Sequence, residues 1–103
     1  MKDDDLEIVE VRDPGASTFT LKGRINAANA DILLYKLETA LNEGYINIIV
    51  NMSQIEYLSS VGIRVILKIY KKASEAGGKF NIERPSDNVR NVIGMVALKE
   101  MLV

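Results

Sequence analysis

The chain contains no cysteine, no histidine and no tryptophan. Without cysteine there is no disulfide, no thiolate nucleophile and no cysteine-ligated zinc. Without histidine there is no Ser-His-Asp triad, and the commonest imidazole bases and metal ligands are gone. Aromatic residues are only 6% of the chain, too sparse for a platform that stacks nucleic-acid bases. Neither sign of charge dominates: 13 Lys and Arg against 14 Asp and Glu give a net charge of −1. Such a chain is no electrostatic trap for DNA or an anionic membrane. No apolar run approaches the roughly 20 residues that a membrane span needs. The first residues, Met-Lys-Asp-Asp-Asp, are no signal peptide. Carboxylates are scattered, and no Gly-rich phosphate loop with its lysine is present. The expectations are a cytoplasmic, non-enzymatic protein with no cofactor, no metal, no direct nucleic-acid contact and no membrane insertion.

What is present suits one compact unit. The chain has 103 residues, 48% of them hydrophobic and 26% charged. A domain of this size buries roughly 60–70% of its unfolded surface, so a single domain over residues 1–103 is expected. Leu6 to Arg12 is short and rich in β-branched residues, which predicts a strand. Asp13-Pro14-Gly15 is a turn signal, and Thr18 to Lys22 alternates with Phe19 and Leu21 on one side. Together they read as an antiparallel hairpin with one buried face.

Beyond Asn26 the period changes. Ala30, Leu33, Leu34, Leu37, Ala40 and Leu41 recur at helical spacing, with Asn26 as the expected N-cap and Gly44 as the stop. Tyr45 to Val50 is nearly all apolar and suits an inner strand covered on both faces. A loop then leads to Ser59-Ser60 and a helix over Val61 to Ala76, stopped by Gly77-Gly78. Lys79 to Glu83 is a short strand, and Ser86 caps a last helix ended by Gly94. The apolar tail, Val96 to Val103, is expected to dock on the core. Strands alternating with helices predict an α/β fold: a mostly parallel central sheet, an antiparallel N-terminal edge strand, and helices packed against it.

Tyr57-Leu58-Ser59-Ser60-Val61-Gly62 is the segment with the most chemistry. It leaves the carboxyl end of an inner strand, where α/β folds meet ligands and partners. Two hydroxyls and a glycine at a helix start combine free N–H groups, a positive dipole end and little bulk. On spacing alone, either Ser59 or Ser60 is simply the N-cap. Arg64, Lys68, Lys71 and Lys72 form a basic stripe on the same helix, read either as a solvated face or as a partner contact. Val61, and Met95 farther on, are candidate apolar anchors.

Ile48-Ile49-Val50-Asn51-Met52-Ser53 followed by Tyr57 to Leu67 resembles the core signature of STAS domains. Leu21 to Ala30, Glu75 to Lys79, and Pro85 to Gly94 fall in register with the same family. More closely, the chain resembles the free-standing bacterial anti-sigma factor antagonists. That resemblance implies a STAS-type fold and a partner-switching function. In the family, a serine at the start of the second helix is phosphorylated by an anti-sigma factor that is an ATP-binding, histidine-kinase-like serine kinase. The unphosphorylated antagonist binds this kinase and frees the sigma factor. The phosphorylated one lets go until a PP2C-type serine phosphatase resets it.

The serine at that position is Ser60. The resemblance makes it the phosphoacceptor, with Ser59 as cap or alternative acceptor. It also places Asn26, Ser59, Ser60, Val61, Gly62, Arg64 and Lys68 at the partner interface. Ser59, Asn26 and Asn51 stand where family members often carry aspartate, so the loop is less acidic than the pattern. Two other readings stay open. One is a STAS subunit that clamps the ATPase of a lipid or solute transporter without phosphorylation. The other is a nucleotide or small-molecule sensor that uses the Ser59-Ser60 helix start as a phosphate site.

Overall fold

The structure is a computed structural model that describes residues 5–95. Its elements are β1 (Leu6–Asp13), β2 (Ala16–Ile25), α1 (Ala30–Asn42), β3 (Asn47–Leu58), α2 (Ser60–Glu75), β4 (Lys79–Glu83) and α3 (Asp87–Met95). The four strands form one sheet in chain order, β1-β2-β3-β4. β1 runs antiparallel to β2, whereas β2, β3 and β4 are parallel. This is the α/β architecture expected from the alternation of strands and helices.

Local chemistry sets the hairpin. Proline fixes φ at the first turn position, and Gly15 supplies φ of 78° at the second. Asp13 therefore faces Ala16 directly across a two-residue loop. Each later step, β2 to β3 and β3 to β4, moves the same way across the sheet. Right-handed crossovers then put α1 and α2 on one face, where they pack against each other. Phe19, Leu21 and Ile25 of β2 point into that face, beneath Leu33 and Leu37 of α1 and Ile66 and Ile69 of α2.

Three expectations about element ends need correction. β3 does not stop at Val50 but runs to Leu58. Its buried positions change from every second residue (Ile48, Val50, Met52) to every third (Ile55, Leu58). The cause is irregular pairing with β2 between Thr20 and Lys22 and again between Gly23 and Arg24. An extra residue in the ladder turns the side chains over, which hides the strand from a period-two reading. Asn26 is not the N-cap of α1, which begins at Ala30 after Asn29. Asn26 caps the turn just before it: its Oδ1 accepts from the N–H groups of Ala28 (2.9 Å) and Asn29 (3.1 Å). Asn29 Oδ1 accepts in return from the Asn26 N–H, and Asn29 Nδ2 donates to the Arg24 carbonyl. Gly94 lies within α3 and does not end it. The expected docking of Val96 to Val103 lies outside the described residues.

β4 pairs with β3 only as far as Asn51, so the rest of the long strand is met by α3. Ser86 makes the joint. Its hydroxyl donates to the Ile55 carbonyl (2.7 Å) and accepts from the Val89 N–H (3.2 Å), capping α3 as expected. Asn88 Nδ2 donates to the Glu56 carbonyl at 2.7 Å.

At the opposite end of the sheet, Glu10 accepts from the Ser17 hydroxyl (2.6 Å) and from Arg12 Nε (2.7 Å). Arg12 also reaches Glu43 at 2.6 Å and lies over the Tyr45 ring. Burial pushes the Glu10 carboxyl up, but the hydrogen bonds from Ser17 and Arg12 and the charges of Arg12 and Lys36 outweigh it and hold it low. A carboxyl held low when folded stabilises the fold above its unfolded pKa, and that contribution is lost on acidification. Glu10→Gln should therefore flatten the fall in thermal midpoint between about pH 5 and 3, as followed by circular dichroism. The two glycines after α2 should separate in the same assay. A Cβ on Gly78 would stand 2.0 Å from the Ile46 carbonyl oxygen, whereas one on Gly77 meets nothing. Gly78→Ala should cost about 3 kcal/mol, the upper end of overpacking. Gly77→Ala should cost about 1 kcal/mol, from its positive φ alone.

Candidate functional site

The parallel strands β2 and β3 end side by side, with Ile25 opposite Leu58. Ser59, the next residue of β3's chain, donates its backbone N–H to the Ile25 carbonyl at 3.0 Å. Asn26 follows Ile25 directly. The register thus brings Asn26, Ser59 and Ser60 to one corner, at the carboxyl edge of the sheet. α2 starts there because Ser59 is extended (φ −77°, ψ 168°) and its hydroxyl accepts from the Gly62 N–H at 3.1 Å. That is an N-cap hydrogen bond, which occupies one of the four free donors of a helix start.

The two serines therefore differ. Ser59 is half-buried and engaged in the cap. Ser60 is the first residue of α2, exposed, and its hydroxyl makes no hydrogen bond to another described residue.

Gly62 is buried beneath the corner. A Cβ there would stand 2.7 Å from Ile25 Cγ2 and 2.7 Å from Leu58 Cδ1. The absence of a side chain lets the first turn of α2 sit directly on the ends of β2 and β3. Its close approach is to its own core, beneath the surface. Val61 is half-buried and packs against the core. The side chain of Met95 lies outside the described residues.

The basic stripe divides. Lys72 and Lys68 of α2 reach Glu38 of α1 at 2.7 and 3.7 Å. The Lys72 hydrogen bond, with the charges of both lysines, holds the Glu38 carboxyl below its ordinary range against a smaller opposing effect of burial. Arg64 and Lys71 are exposed and make no ion pair with another described residue. Asn51 is not at the corner. It lies mid-sheet between Thr20 and Glu83, and its Oδ1 accepts from the Ser53 backbone N–H and hydroxyl.

One feature of the corner escaped the sequence reading. Arg24 and Tyr57 are cross-strand partners, and the guanidinium lies 4.7 Å from the ring centroid. Both are exposed, and they stand one residue before the buried Ile25 and Leu58, so a cation and an aromatic face pair at the ends of β2 and β3. Nothing local marks them. They meet only because of the shifted register between β2 and β3.

A fold with this strand order has known counterparts. The STAS domain family model matches residues 7–102. The chain belongs to the STAS domain family. Among related sequences, BtrV of Bordetella bronchiseptica, which carries the name anti-sigma factor antagonist, is 29% identical over 72 residues. The match covers 70% of this chain and 62% of BtrV. Among solved structures, the anti-sigma factor antagonist SpoIIAA in its unphosphorylated form superposes with a TM-score of 0.85 at 18% identity. That superposition covers 94% of this chain and 86% of SpoIIAA. The phosphorylated form of SpoIIAA, a Bacillus cell fate determinant, gives 0.80 at 17% identity, covering 94% and 89%. At these identities the likeness carries the fold. Among the described residues of this STAS domain, no helix is long and apolar enough to cross a membrane.

The division of labour between the serines has a direct stability consequence. Ser59→Ala removes the cap and should cost about 1 kcal/mol in urea or thermal unfolding. Ser60→Ala should stay within about 0.5 kcal/mol of the parent. Equal losses for the two would contradict the assignment of the cap to Ser59.

Proposed function

We propose that this STAS domain is an anti-sigma factor antagonist, switched by phosphorylation of Ser60. The unphosphorylated form binds an anti-sigma factor that is an ATP-dependent serine kinase of the histidine-kinase-like type, and so frees the sigma factor. The kinase transfers the γ-phosphoryl group of ATP to the Ser60 hydroxyl, whose proton leaves as ADP departs. A PP2C-type phosphatase hydrolyses the ester with water, releasing phosphate and restoring the hydroxyl. The domain performs no catalytic step itself.

The observation that supports this most is the contrast at the start of α2: Ser59 is tied into the cap, while the Ser60 hydroxyl is exposed and unengaged. A phosphate on Ser59 would break the cap. One on Ser60 would leave it intact, beside the positive end of the helix dipole. The fold likeness to SpoIIAA in both its unphosphorylated and phosphorylated forms agrees with a domain that survives the modification. The name of BtrV supports the class of partner.

Release follows from surface chemistry. Phosphorylation adds about −1.5 to −2 charges and three acceptor oxygens at the centre of the docking corner. Desolvating and repelling that group across a formed interface costs about 3 kcal/mol, which is a hundredfold in affinity.

Ser60→Asp should weaken binding to the anti-sigma factor about a hundredfold by calorimetry, with little change in thermal midpoint. Undiminished binding by Ser60→Asp would overturn the switch. A transporter ATPase bound equally well by both forms would replace it with a clamp that needs no phosphorylation.

A further inference from the structure

The exposed face of α2 begins at Ser60 and continues through Arg64, Leu67, Lys68 and Lys71. Along it the cations are not equivalent. Lys68, like Lys72 beside it, is drawn toward Glu38 of α1. Arg24 is placed over the Tyr57 ring. Arg64 is exposed, with no ion pair to another described residue, and it stands four residues after Ser60. Positions i and i+4 of a helix are surface neighbours, with Cβ atoms about 5–6 Å apart. The anion N-terminal to the cation is the favourable order for such a pair. A guanidinium also matches phosphate oxygens with two parallel N–H donors.

We propose that Arg64 is a clamp in cis for the phosphate on Ser60. This rests on the reading of Ser60 as phosphoacceptor and adds a second moving part to the switch. In the unphosphorylated domain, Arg64 is available on the docking face one turn from the serine. When Ser60 carries a phosphate, Arg64 folds back along the helix and donates to it. One modification thus changes two groups on the surface: it installs a dianion and withdraws a cation. Arg64 is a positioning residue, since it neither receives nor transfers the phosphoryl group.

The test needs no kinase. Phosphoserine is installed at position 60 of the full chain by genetic encoding, in the parent and in Arg64→Gln and Arg64→Lys. The phosphate should raise the parent's thermal midpoint by about 2–4 °C, a helix ion pair converted by the unfolding entropy of a domain this size. Arg64→Gln should lose this ion-pair increment and keep only what the helix dipole supplies, and Arg64→Lys should keep part of it. In NMR spectra the Arg64 Nε–H resonance should move downfield and exchange more slowly with water once the phosphate is present. An Arg64 signal indifferent to the phosphate, with equal thermal shifts in parent and Arg64→Gln, would overturn the clamp. The resonance decides even if a variant folds poorly, because it is read on the parent chain. A clamp seen with encoded phosphoserine, in a protein whose cells never phosphorylate Ser60, would sink the proposed function and leave the clamp standing. Phosphorylation in cells without the clamp signature would do the reverse.

Discussion

The contact between Gly62 and the paired ends of β2 and β3 is the constraint on which the rest of the corner depends. A helix normally stands off a sheet by the thickness of its side chains. Here the first turn of α2 rests on Ile25 and Leu58 with no Cβ between them. That proximity lets the Ser59 backbone donate to Ile25 while its hydroxyl caps Gly62. The strand ends, the cap and the helix start are therefore one rigid joint. Ser60 is presented from it on the outer side of a helix whose inner side packs along the sheet.

This arrangement separates what holds the fold from the surface proposed to meet a partner. The buried side of the joint consists of Ile25, Leu58 and Gly62, and the cap uses Ser59 alone. Ser60 and Arg64 lie on the exposed face of α2, and neither is buried. Charge can be added outside with little consequence inside, which is the requirement for a domain that changes partners without unfolding. Neither Asn26 nor Ser59 carries a charge, and both keep the hydrogen bonds of the joint. Asn26 still accepts the N–H groups of its turn, because an amide oxygen serves as well as a carboxylate, and Ser59 still caps. The corner still holds a carboxylate, because Asn26 Nδ2 donates to Asp5 at 3.2 Å.

Much of this was legible from residue order, and the failures have a common cause. The turn at Pro14-Gly15, the helix stops at Gly44 and Gly77, and the cap at Ser86 are local devices, readable from a few neighbours. The choice between Ser59 and Ser60 as cap is decided by a single ψ angle and one hydrogen bond, which spacing does not encode. The strand from Asn51 to Leu58 looked like a loop because bulged pairing replaced alternation with a period of three. The same shifted register creates the Arg24–Tyr57 pair, so one non-local feature accounts for both omissions. The basic stripe was seen correctly as a helix face. Its division into Lys68 and Lys72, which brace α1, and Arg64 and Lys71, which do not, depends on where Glu38 sits, 34 residues from Lys72.

The account stands or falls on which hydroxyl is modified. The decisive measurement is intact-mass analysis with phosphosite mapping of the chain purified from its own cells, for the parent, Ser60→Ala and Ser59→Ala. The account predicts a single phosphate on Ser60, absent from Ser60→Ala and retained in Ser59→Ala. A phosphate mapped to Ser59, or none in any growth condition, would contradict it.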